Sequence, residues 1–169
     1  MTGPGPASTD APRPTARFPR WFLRAPELLF RLHLDVLWPT LVMLTTTGRR
    51  SGQRRSVVLD VARAERDRIW VIAGDGMRAR WVMNLLADPR VEVRHRGRRW
   101  LGRATIGPAD GPDAADLNVA IYRDRPRYVG LIYRLIGERV RDEADVRRLA
   151  AGTLAVRIDR EISPAAVRP

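Results

Sequence analysis

The sequence predicts an α+β fold, mainly β, in which a small barrel of antiparallel strands carries a few helices. Three observations predict it. Short β-prone runs recur at near-hairpin spacing between Leu41 and Ile158, the pattern of a sheet that turns back on itself. Helical periodicity is confined to a few stretches before or between those runs, as when helices are added to a sheet and not woven through it. No strand leads through Gly-x-Gly-x-x-Gly into a helix, so a Rossmann fold is set aside.

Residues 1–16 are rich in Pro, Gly, Ala, Ser and Thr. With neither an apolar core nor a basic start they read as a disordered tail and not as a secretory signal, which makes the cytoplasm the default address. Residues 17–161 read as one domain and 162–169 as a second tail. Between Phe18 and Trp38 the charged residues Arg20, Arg24, Glu27, Arg31 and Asp35 recur every three or four positions, forming one stripe of an amphipathic helix. Pro26 suits the first turn of its main part. Two readings of this segment stand: a helix packed on the domain with a thin solvated edge, or one that also makes peripheral membrane contact through Trp21, Phe22, Phe30 and Trp38. The uncharged run from Val36 to Gly48 is too short to span a bilayer.

Beyond Pro39 the period changes. Strands are predicted at Leu41 to Thr47, Ser56 to Ala62 and Arg68 to Ala73, with Gly48 and Gly52 supplying the turn of a long hairpin loop between the first two. Trp81, Val82, Leu85 and Leu86 share one face of a helix from Met77 to Ala87, which Asp88-Pro89 stops. Val91 to His95 and Arg99 to Ile106 flank a turn at Gly97. A helical stretch then runs from Asp113 towards Ile136, restarted at Pro126, and a last strand from Thr153 to Ile158 points Leu154, Val156 and Ile158 inward.

Composition narrows the chemistry. The chain of 169 residues is 44% hydrophobic, enough for one real core and too short for two comfortable ones. It has no cysteine, and its only histidines are His33 and His95. Thiolate nucleophiles, disulfides and imidazole-rich metal sites therefore drop out. His95, in a strand beside several arginines, reads as solvated and not catalytic. The net charge is +12, and all 31 basic residues are arginine. Such uniform arginine usage, with abundant Ala, Gly and Pro, fits a GC-biased coding sequence, so local clusters carry more information than the total.

The densest cluster is TTTGRRSGQRR, Thr45 to Arg55, with Arg49, Arg50, Arg54 and Arg55 around a glycine-bounded turn. Small residues let backbone N–H groups approach an anion, while Arg49, Arg50 and Ser51 add side-chain donors suited to phosphate or carboxylate oxygens. By itself the loop also fits a solvated hairpin tip. Nucleic acid is disfavoured because no aromatics are interleaved for stacking bases.

The order and spacing of LTTTGRRSGQRRSVVL (Leu44 to Leu59), a strand, a small glycine loop and RWVMNLLADPRVEV (Arg80 to Val93) resemble the deazaflavin-dependent nitroreductase family. The resemblance runs from about Pro26 to Ile158. It implies a split β-barrel of the flavin- and deazaflavin-binding type and a reduced deazaflavin, coenzyme F420, as hydride donor, with FMN the weaker candidate. Arg49, Arg50, Ser51 and Gly52 would hold the phosphate and acidic tail of the coenzyme, with Arg55 nearby. Ser56, Val57 and Val58 would lay their backbone along the ring system, where N–H groups stabilise charge without titrating.

The glycine loop departs from the family pattern of a serine and a lysine, having Gly74, Asp75 and Gly76. Arg78 or Arg80 would replace the missing cation, or Asp75 would simply cap the following helix. Trp81 is either core or a wall of the coenzyme site, and Asn84 either satisfies buried backbone groups or touches the coenzyme. In the family, tyrosines on a late helix line the substrate pocket. Here Tyr128, with Tyr133 and Tyr122, occupies that region as proton donor or polar positioner, unless these rings only anchor the helix. The implied reaction is hydride transfer to a hydrophobic acceptor that is quinone-, nitro- or enone-like. The competing class is a non-catalytic binder of lipid or another hydrophobic ligand on the same barrel.

Overall fold

The computed structural model describes Phe30, residues 39–135 and residues 137–161. The expected tails and the amphipathic segment from Phe18 to Trp38 lie outside the described residues, Phe30 excepted. That ring is buried, with the Arg94 guanidinium 5.6 Å from its centroid.

Six antiparallel strands form a closed barrel: β1 (Leu41–Thr47), β2 (Arg54–Ala64), β3 (Arg68–Ala73), β4 (Arg90–His95), β5 (Arg98–Ile106) and β6 (Leu154–Arg160). Their order around the barrel is β1-β2-β3-β6-β5-β4. Period-two alternation sets the inside. Val42 and Leu44 of β1, Val91 and Val93 of β4, and Val156 and Ile158 of β6 meet in one buried cluster with Ile69 and Val71 of β3.

Between the strands lie α1 (Arg80–Ala87), α2 (Ala114–Asp124), α3 (Pro126–Leu135) and α4 (Glu143–Leu149). Helix α1 closes one end of the barrel, with Leu85 reaching the central cluster and Val82 packing on Ala73 and Ala79. Helix α2 lies on the flank, where Leu117 covers Trp70 and Ala155. After Arg68 the run IWVIA is apolar throughout because β3 is buried on both faces, by the barrel core and by α2.

The expected strands are present, with β2 longer at both ends. Helix α4 is an element that hydrophobic periodicity does not announce. Its N-terminus is set by Asp142, whose side chain accepts from the Asp145 N–H at 2.9 Å. Asp75 corrects one expectation. It precedes a 3-10 turn, Gly76–Arg78, and makes no side-chain capping bond, while Ala79 occupies the N-cap of α1. Gly76 takes φ +55, and a Cβ there would come within 2.3 Å of the Gly152 carbonyl oxygen. Gly76 therefore serves a close backbone crossing, and the start of α1 has no side-chain cap. His95 is likewise not simply solvated: its Nε2 lies 2.9 Å from the Pro39 carbonyl oxygen.

Strand β2 pairs with β1 from Arg54 to Asp60, but with β3 only from Val61 to Ala64, across a register shift between Val61 and Arg63. The stretch from Arg54 to Asp60 thus has a strand neighbour on one side only. Its outward N–H and C=O groups form an open edge.

Candidate functional site

A cleft of about 630 Å³ opens where the β1–β2 hairpin meets the N-terminus of α1. The hairpin contributes Gly48, Arg49, Arg50 and Ser51, β2 contributes Arg55, Ser56 and Val57, and α1 contributes Arg80, Trp81 and Asn84, with Thr46 at the base. The hairpin is a braced turn. Gly48 N–H donates to the Gln53 carbonyl and Gly52 N–H to the Gly48 carbonyl, each at 2.8 Å. Gly52 sits at φ +66, where glycine is favoured.

Asn84 ties this turn to the helix. Buried on α1, it accepts from the Arg49 backbone N–H at 3.2 Å and donates from Nδ2 to Thr46 Oγ1 at 3.1 Å. Trp81 stands beside it, half-buried, packed on the barrel core on one side and lining the cleft on the other.

Charge is distributed unevenly among the arginines. Arg54 points away from the cleft and pairs with Glu92 of β4. Arg55 donates to Gln53 Oε1 at 2.9 Å, a neutral partner. Arg49, Arg50 and Arg80 have no carboxylate partner among the described residues, although carboxylates elsewhere are largely matched to guanidinium groups. Several cations therefore face one cleft uncompensated, next to an uncapped helix N-terminus whose first-turn N–H groups add positive potential. That donor set suits a multiply charged anion.

Of the residues picked out from sequence, Arg49, Arg50, Ser51, Arg55, Ser56, Val57, Trp81 and Asn84 come together around this cleft. Gly52 shapes the turn, and Val58 continues the open edge of β2 just outside it. Gly74, Asp75, Gly76 and Arg78 do not line it. Thr46 and Gly48, which also line the cleft, are not among those site residues, though both lie within TTTGRRSGQRR.

The tyrosines lie elsewhere. Tyr128 of α3 donates to Asp60 Oδ2 at 2.6 Å. Burial, and then Asp60, push its phenol well above the ordinary value of 10. Tyr122 donates to the Arg141 carbonyl at 3.2 Å. Tyr133 is half-buried, and burial raises its phenol too. None of the three lines the arginine cleft. Asp60 was missed, although a lone carboxylate inside SVVLDVA was its signal. Among the described residues no cluster of acidic or imidazole groups could hold a metal ion.

The model of one family, the F420H(2)-dependent quinone reductases, matches residues 33–132, more than half of the chain. The chain belongs to that family. Its class of activity is thus deazaflavin-dependent oxidoreduction and its coenzyme F420. No curated protein matches the sequence.

Among solved structures, a conserved hypothetical protein from Mycobacterium tuberculosis superposes with a TM-score of 0.50 at 17% identity, covering 79% of this chain and 80% of that one. An F420-H2 dependent reductase, FDR-A, gives 0.47 at 20% identity, covering 71% and 94%. An FMN-binding, pyridoxamine 5'-phosphate oxidase-related protein from Nostoc punctiforme gives 0.48 at 15%, covering 86% and 82%.

The residues of this quinone reductase family member fit the coenzyme's chemistry. The unmatched guanidinium groups and the uncapped N-terminus of α1 complement a polyanionic tail, and the open edge of β2 begins where the arginines end. Among the described residues no helix is long and apolar enough to cross a membrane.

Proposed function

We propose that this protein reduces a hydrophobic small molecule, a quinone first and nitro or enone compounds by the same chemistry, with F420 seated across the arginine cleft and the open edge of β2. Arg49, Arg50, Arg55 and Arg80 would hold the phosphodiester and glutamate tail. Each charge-assisted contact contributes roughly 1.5–3 kcal/mol, less where water screens it. Ser56, Val57 and Val58 would present backbone groups to the ring system, and Trp81 an apolar wall. When bound, the reduced coenzyme supplies the hydride, and the protein supplies orientation and exclusion of water. The cytoplasmic address and the peripheral membrane contact of the N-terminal segment belong to the same proposal and rest on sequence composition.

The observation that carries this reading is the adjacency of uncompensated cations to a strand edge with only one neighbour. Titrating the purified protein with oxidised F420, followed by the coenzyme's fluorescence, tests it. Saturable quenching, followed by menadione-dependent oxidation of the reduced coenzyme, is expected. An unchanged fluorescence signal would favour the hydrophobic-ligand binder instead.

A further inference from the structure

Asp60 is the only acid of β2, and it stands at the last residue of the strand's open stretch, opposite Leu41 of β1. Its Oδ2 accepts the proton of Tyr128 at 2.6 Å, while its Oδ1 is buried without a hydrogen-bond partner. The Arg125 guanidinium lies over the Tyr128 ring, 5.3 Å from its centroid. The ring thus contacts a cation while its hydroxyl is committed to the carboxylate. Apart from Val129, α3 carries no fully buried side chain. Helix α3 therefore depends on directed contacts more than on a large apolar face for its position.

We propose that Asp60 is a positioning residue: its carboxylate latches Tyr128, and with it α3, beside the open edge of β2, forming one wall of the acceptor site. This rests on the reading that acceptor and coenzyme meet along β2. A consequence is that Tyr128 shapes the site without supplying the proton that completes reduction of the acceptor. Its proton is already donated to Asp60, and burial beside an anion keeps it there. The proton that the acceptor takes up comes instead from water at the cleft mouth; with the hydride of the reduced coenzyme, which carries two electrons and one proton, it completes the two-electron, two-proton reduction of a quinone.

Asp60→Asn, Tyr128→Phe and the double variant form the test, with menadione as acceptor and F420 affinity measured by fluorescence in each. The latch predicts that each single variant raises the KM for menadione about tenfold while kcat stays within about twofold. The double variant should be no worse than the worse single, because both substitutions break one contact. F420 affinity should stay near that of the parent protein. Failure of the parent to bind F420 would overturn the coenzyme reading, whereas normal binding with an unchanged KM in all variants overturns only the latch. A collapse of kcat in Tyr128→Phe at constant KM would make Tyr128 the proton donor and also overturn it. Should Tyr128→Phe fail to fold, an absorbance titration of the three tyrosines in Asp60→Asn still decides. One phenol must ionise at lower pH than in the parent, and an unaltered titration sinks the proposal.

Discussion

Asn84 of α1 accepts a hydrogen bond from the backbone N–H of Arg49 at 3.2 Å. A helix residue thereby fixes the backbone of the arginine hairpin, and its second contact, to Thr46 Oγ1, anchors the arrangement in β1. Preorganisation of this kind lowers the ordering cost that an arginine-rich loop would otherwise incur on binding an anion.

Replacing Asn84 by alanine removes both bonds and leaves the Arg49 N–H without its partner. A stability loss of about 1–3 kcal/mol is expected, read by urea unfolding. Coenzyme affinity should fall several-fold although no charge has changed. A variant with parental F420 affinity would show that the hairpin needs no bracing.

Removing Arg49 and Arg50 together should weaken F420 binding at least tenfold, and more at low salt, where the Debye length exceeds about 10 Å. Repeating the fluorescence titration across a salt series checks both parts. The parent protein should lose affinity steeply as salt rises, and the double alanine variant only weakly.

Gly76→Ala should destabilise the fold strongly. The new Cβ would lie 2.3 Å from the Gly152 carbonyl oxygen, at a φ of +55 that side chains resist. Overpacking costs about 1–3 kcal/mol and the left-handed backbone about 1–2 kcal/mol more. Thermal unfolding is the measurement, and Gly74→Ala, whose Cβ meets nothing within 4 Å, is the control that should unfold with the parent.

Alkaline pH should destabilise the protein through Tyr128. Its phenol is held above the ordinary value of 10 in the folded state, by burial first and Asp60 second. Above pH 10 the unfolded chain therefore binds fewer protons than the native one, and stability falls as pH rises. Tyr128→Phe should flatten that alkaline limb. An equally steep limb in the variant would assign it to other groups.

Much of the barrel was legible because its strands alternate or run apolar according to how many faces they bury. Val42 and Leu44, or Val156 and Ile158, declare an inward face by spacing alone. Helix α4 was not, since seven residues with one buried valine, Val146, leave no periodic signal. The arginines of the hairpin were visible as a cluster, but which of them are free was not: Arg54 and Arg50 look alike until Glu92 of β4 is brought beside one of them.

The sequence by itself determined the family, the strand pattern and the cationic turn, because motif order, period-two burial and local charge are written within short windows of chain. Only the tertiary structure decided that Asp75 does not cap α1, that Asn84 braces Arg49, that Tyr128 answers to Asp60 and that β2 runs half its length without a second neighbour. Each of these depends on groups far apart in the chain whose meeting is set by barrel closure. Long-range register, and not local propensity, determines which polar atoms are satisfied and which are left to receive a ligand.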